Sequence, residues 1–231
     1  VSDGEVIETS ENGLFRVRLV QDEDAQNPRE DAVDNGVMWC RHPDYTLGDE
    51  GTEEFVEVSH FVDEILEWLS GNAVTEAVAK HVRRKYGATV VLPLYLLDHS
   101  GLWMTAGPAL PARSSRRDNP FGVDPGGWDT SYVGFIFDTD KNRAETGCSL
   151  DYMEQGLREE VETYSSYLEG DVYGYIVEQK VTEHITVRTP DGKILREEDH
   201  ETWDEVESCW GFIGCDYATE EAKGALKEAM G

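Results

Sequence analysis

Apolar and polar residues alternate over residues 5–9 (EVIET) and 14–20 (LFRVRLV), which predicts two strands. The connection Ser10-Glu11-Asn12-Gly13 between them carries the Asn-Gly hairpin signal. A different period follows. Phe55, Val58, Phe61, Val62, Ile65, Leu66 and Leu69 recur at three- and four-residue spacing, which predicts a helix opening at Thr52 and closing at Gly71. Residues 75–86 form a second helical pattern, with Ala77, Val78 and Val82 inward and a basic last turn. The most apolar run, ATVVLPLYLL at residues 88–97, reads as a buried central strand in which Pro93 marks a bulge or an edge. Residues 101–127, rich in Gly and Pro, read as a long loop with Trp128 as a buried anchor at its end. SYVGFIF at residues 131–137 is a strand. Residues 150–168 are a helix, with Met153, Leu157, Val161, Tyr164 and Leu168 on one face. Strands are expected over 171–178, 181–189, 193–196 and 207–214, and a last helix from Thr219 to Met230.

Helices and strands interleave without a βαβ repeat, so the expected fold class is α+β: a mainly antiparallel sheet with several packed helices. Residues 1–51 read as an N-terminal hairpin and acidic arm, and residues 52–231 as the core, or the whole chain as one domain. The longest apolar run is too short to span a bilayer, which takes about 20 residues. The N-terminus is acidic and polar, unlike a signal peptide. The expectation is a soluble, cytoplasmic protein. Cys40, Cys148, Cys209 and Cys215 form no C-x-x-C pair and read as buried free thiols, with a Cys209–Cys215 bridge left open.

Charge changes the picture. Forty-eight acids face 20 bases, a formal net charge of −28, and the imbalance is uneven along the chain. By sections, residues 1–78 carry −16, residues 79–148 carry +2 and residues 149–231 carry −14. Direct nucleic-acid binding and attachment to anionic membranes both need a basic face, so both are excluded. Three readings of the acidity remain: imitation of nucleic-acid phosphates, adaptation to high salt, and plain solubility. Carboxylates held on helices would suit imitation, and the candidates for such a surface are Glu53, Glu54, Glu57, Asp151, Glu154, Glu159, Glu160 and Glu162. A solvated helix face is the plain alternative.

No phosphate-binding glycine loop, dinucleotide fingerprint or H-E-x-x-H motif occurs. Asp98, His99 and Ser100, at the end of the most apolar strand, are the candidates for catalysis, and a turn closed by Gly101 is the alternative. Arg113, Arg116 and Arg117 are candidates for binding an anion. Cys40 and His42, with His99, Cys209 or Cys215, have the wrong spacing for a zinc knuckle, so no metal and no cofactor is expected.

Four segments carry a resemblance: NPRED and YTLGDE (residues 27–31 and 45–50), LPLYLLDHSG (92–101), EVETYSSYLEGDVYGY (160–175) and ESCWGFIGCDYATEEAK (207–223). Together they resemble a family of uncharacterised bacteriophage and prophage proteins with LPLYLYDHSG-, EVETYDQYLxGDVYG- and DSCWGFYG-like motifs. The resemblance covers most of the chain from residue 27 onward. The Arg- and Pro-rich stretch before Trp128 departs from the shorter loop of that family. It implies a virus-encoded accessory protein. With the charge, the expectation is a DNA-mimic-like inhibitor of a host nucleic-acid-binding or defence protein, of anti-restriction or anti-CRISPR type, acting as a monomer or a homodimer. The alternatives are a small enzyme or ligand-binding protein acting on a phosphorylated or nucleotide-like molecule through Asp98, His99 and Ser100, and a halophile-type acidic viral protein without mimicry.

Overall fold

The computed structural model describes residues 4–30, 33–49, 72–108 and 120–231. Among them are β1 (Glu5–Thr9), β2 (Phe15–Gln21), β3 (Gly36–Cys40), α1 (Asn72–Tyr86), β4 (Val91–Asp98) and β5 (Leu102–Ala106). Then come β6 (Thr130–Asp138), α2 (Asp140–Thr146), α3 (Leu150–Glu169), β7 (Val172–Arg188), β8 (Ile194–Ile213) and α4 (Cys215–Ala229). The strands form two antiparallel four-stranded sheets and the class is α+β. The helix expected over 52–69, with Glu53, Glu54 and Glu57, lies outside the described residues, as do Arg113, Arg116 and Arg117.

The chain divides into two compact units, residues 26–169 and residues 1–25 with 170–231. This division differs from the expected one at 51/52, because β2, with β1 on its other side, pairs with β7 from the far end of the chain.

The unit of residues 26–169 is built on the sheet β3-β6-β4-β5. Alternation along β4 sends Leu92, Leu94 and Leu96 to one face, where they meet Met153, Leu157, Val161 and Tyr164 of α3. Val91 points to the other face and packs with Phe135, Phe137, Trp39 and Val82 of α1. The 3–4 spacing that predicts α3 is therefore the spacing of its buried stripe. A bulge at Leu94/Tyr95 leaves Val133 as the extra residue on β6. Beside it Gly134 is required, since a Cβ there would lie 1.9 Å from the Trp39 carbonyl oxygen.

In the other unit the sheet runs β1-β2-β7-β8, and α4 covers one face through Ala222, Ala225 and Leu226 against Val17, Tyr175 and Val177. β2 pairs with β7 only as far as Phe15 opposite Gln179. Beyond that point β7 and β8 continue as a two-stranded ribbon to Arg188 opposite Ile194. Nine residues at about 3.4 Å each give the ribbon a length of roughly 30 Å.

Several expectations are corrected. The strands expected at 171–178 and 181–189 are the single strand β7, and those at 193–196 and 207–214 are parts of β8. β5 lies inside the expected 101–127 loop, and β3 inside the expected arm. Helix α2 was not anticipated; Thr139 caps it, accepting from the Asn142 amide. α4 starts at Cys215 rather than Thr219. All four cysteines are free, but only Cys40 is buried, and Cys209 and Cys215 are exposed.

Candidate functional site

The densest ionic cluster starts from a local turn. The Asn27 side chain accepts from the Arg29 amide at 3.0 Å, and the Glu30 amide donates to the Asn27 carbonyl at 3.1 Å. The Arg29 side chain that follows this turn is only 3% exposed. Its Nε and Nη2 donate to the two oxygens of Asp49 at 2.7 and 3.0 Å, a two-pronged pairing. Nη2 also donates to the Gly36 carbonyl at 2.9 Å, and Nη1 donates to Glu160 at 3.0 Å. Asp34 lies 3.4 Å from Nη1. One guanidinium thus faces three carboxylates, for a formal cluster charge of −2.

Backbone contacts hold Asp49 and Glu160 in place. Gly48 bridges to Trp39 and the Asp49 amide donates to the Met38 carbonyl at 2.9 Å, while the Asp49 carboxylate accepts from the Met38 amide at 2.8 Å. Gly48 has φ +74°, and a Cβ there would lie 2.6 Å from the Met38 carbonyl oxygen, so glycine is needed. Its amide donates to the Tyr164 hydroxyl at 2.9 Å. Glu160 accepts from the Asn35 amide. A cleft of about 300 Å³ opens beside the cluster, lined by Arg29, Asp34, Asn35, Glu159, Glu160 and Thr163 among others.

The electrostatics follow from the count. Burial disfavours the charged guanidinium, but the hydrogen bond and charge of Asp49, with the charges of Asp34 and Glu160, hold Arg29 protonated above its ordinary range. Burial is the largest influence on Asp34 and pushes it up to about 6; Glu160 and Asp49 add to the rise and Arg29 opposes it. Burial also raises Glu160, against the pull of Arg29 and the Asn35 hydrogen bonds.

The other unit holds the inverse arrangement. Glu178, with an 8% exposed side chain, accepts from Arg16 Nε at 2.5 Å and from Arg18 Nε and Nη2 at 3.1 and 3.0 Å. Arg16 also lies over the Trp203 ring at 4.2 Å. Burial pushes the Glu178 carboxyl up, but the hydrogen bonds and charges of Arg18 and Arg16 outweigh it and hold it below the usual range.

The polar cluster predicted from sequence sits at the β4–β5 turn. Tyr45 donates to Asp98 at 2.7 Å and stacks on His42, and His99 Nδ1 lies 2.8 Å from Asp129. His99 is exposed, and Ser100 takes φ +61° in the turn. Trp128, expected as a buried anchor, is 90% exposed. Residues 124–130 are instead tied together by buried Asp124, which accepts from the Trp128 and Asp129 amides at 3.1 and 3.0 Å and from the Thr130 hydroxyl at 2.8 Å. On α3, Asp151, Glu154, Glu159 and Glu162 are exposed, with Glu154 paired to Arg158 at 2.8 Å. Glu160, expected on that acidic face, is turned into the Arg29 cluster. Among the described residues no group of three or more His, Cys, Asp or Glu is arranged to hold a metal ion, and no helix is long and apolar enough to cross a membrane.

No family model matches this chain, and no curated protein or solved structure matches it either. The Arg29 cluster was missed in the sequence, yet a signal was present. NPRED supplies Arg29, YTLGDE supplies Gly48 and Asp49, and EVETY supplies Glu160 and Tyr164, so three of the strings that carry the resemblance meet here.

Proposed function

We propose that this is a non-enzymatic, virus-encoded inhibitor that presents carboxylates to a basic host protein whose normal ligand is nucleic acid. The observation that carries the reading is the charge along β8, on the ribbon and where it joins the sheet. Residues 197–207 of β8 include seven acids in eleven positions: Glu197, Glu198, Asp199, Glu201, Asp204, Glu205 and Glu207. At about 3.4 Å per residue this is one acid per roughly 5 Å, against one phosphate per about 3.4 Å along a single DNA strand. All but Glu198 are exposed. Pairing with β7 fixes their spacing, which a disordered acidic tail would not do. The exposed acids of α3 add to the supply. The motif strings support a viral origin. The enzyme reading at Asp98, His99 and Ser100 gains no support from the geometry, since these residues do not line the cleft and Trp128 points to solvent.

The test is a pull-down from bacterial lysate at low salt with the intact protein as bait, followed by competition with duplex DNA. A nucleic-acid-binding or defence protein should be captured and displaced by DNA, with affinity falling steeply as salt rises. The combined variant Glu197→Gln, Glu198→Gln, Asp199→Asn, Glu201→Gln should bind it more weakly. Failure to capture any protein of this class at low salt sinks the reading.

A further inference from the structure

We propose that the Arg29 cluster is an acid-tightened clamp: Asp34, Asp49 and Glu160 hold Arg29, residues 33–36 and Asp49 against α3 more firmly when one of the three carboxyls is protonated than when all are charged. The geometry carries this. Each carboxylate comes from a different part of the chain, and Arg29 joins all of them and the first residue of β3. Four of its donor contacts go to Asp49, Glu160 and Gly36 at 2.7–3.0 Å, whereas Asp34 stands off at 3.4 Å. Asp34 is therefore the acid with least compensation, and it lines a cleft through which solvent protons arrive. Among the described residues Arg29 is the one base lining that cleft, and Glu159 of α3 adds a further negative charge to its wall. Cys40 is buried and neutral near Asp49, its thiol pushed up by burial, and the Tyr164 hydroxyl is pushed up to about 12 by burial, so neither competes for the proton.

The sign follows from linkage. In the unfolded chain Asp34 takes up its proton near its ordinary value of 3.8, whereas in the fold burial and the two neighbouring acids move uptake to about 6. Between these values the folded state binds more protons, so the cluster gains stability as pH falls from about 6 towards 4. A carboxylate held mainly by salt bridges would do the reverse. The clamp is independent of what the protein binds.

The test reads the clamp locally. In the wild type, exchange protection of the Asn35 and Met38 amides, corrected for intrinsic rates, should rise about fourfold between pH 7.5 and 5.5. The Asp34 carboxyl carbon should titrate near 6 by NMR. Asp34→Asn should abolish the pH response of both amides and give at pH 7.5 at least the protection that the wild type shows at 5.5. Asp151→Asn, an exposed control, should leave the response intact. Glu160→Gln should lower the Asp34 midpoint by removing a repelling charge. An Asp34 midpoint at or below its ordinary value, or a full response persisting in Asp34→Asn, overturns the proposal. If Asp34→Asn does not fold, the wild-type titration and exchange decide.

Discussion

Two ion clusters in this molecule use the same chemistry with opposite stoichiometry. In one unit a single guanidinium, Arg29, is shared by three carboxylates; in the other a single carboxylate, Glu178, is shared by two guanidinia. Asp34 and Glu160 beside Arg29 are raised, while Glu178 is lowered. Burial opposes ionisation in both places. What differs is whether cations outnumber anions, and in a chain with 48 acids and 20 bases the Arg29 arrangement is the expected kind and Glu178 the exception.

Removing the minority charge breaks this comparison at its most sensitive point. Arg29→Met leaves three carboxylates facing each other at the edge of a buried core, with the Gly36 carbonyl unsatisfied. A loss of roughly 3–5 kcal/mol is expected in urea unfolding at pH 7.5, typical of stranding buried charge. Arg29→Lys should recover only part of it, because a point charge cannot make the two-pronged contact with Asp49. A loss below about 1 kcal/mol would mean that the acids simply protonate or relax outward.

Glu178→Gln is the mirror experiment, with a smaller expected effect. It strands Arg16 and Arg18, whose side chains are 25% and 17% exposed and can reach water along their stems, and Arg16 keeps its contact with Trp203. A loss of about 1–2 kcal/mol at pH 7 is the expectation. Its pH dependence should be opposite to that of Asp34. The Glu178 carboxyl lies below its ordinary value of 4.5, so its contribution is complete above 4.5 and is lost as pH falls through the lower folded value. The gap between wild type and Glu178→Gln should close towards pH 3.

How much of this was legible in the sequence depended on range. Local periodicity predicted β2 and α3, because each has a more deeply buried face that imposes its period on the residues, whereas β6 was legible as an apolar run buried throughout from Val133 to Phe137. Periodicity failed over 197–206, where neither face is buried and EEDHETWDEV carries no alternation to detect. β5 was hidden in a loop reading by Gly101, Gly107 and Pro108 around five residues. The Arg29 cluster joins positions 131 apart, so no spacing rule reaches it. Glu160 did give a local hint: it stands three residues after Leu157 and four before Tyr164, at the margin of the buried stripe rather than on the solvated face.

The ribbon supplies the limiting case, where stoichiometry is one to one and burial is absent. His184 and Asp199, directly opposite on β7 and β8, approach to 2.6 Å with both side chains largely exposed. The hydrogen bond and charge of Asp199 raise the imidazole above its ordinary 6.5. By the sign rule, any stability it lends is present below 6.5 and lost as pH rises through the raised value. Asp199→Asn should return the His184 midpoint, read by ring-proton NMR, towards 6.5 while the melting curve at pH 6 hardly moves, because water and salt screen an exposed pair. If that variant instead lowered stability as much as Glu178→Gln, charge balance alone would govern these clusters and burial would not. If the midpoint moved and the melting curve stayed, charge count would set only the direction of each shift, and removal from water would decide whether the fold feels it.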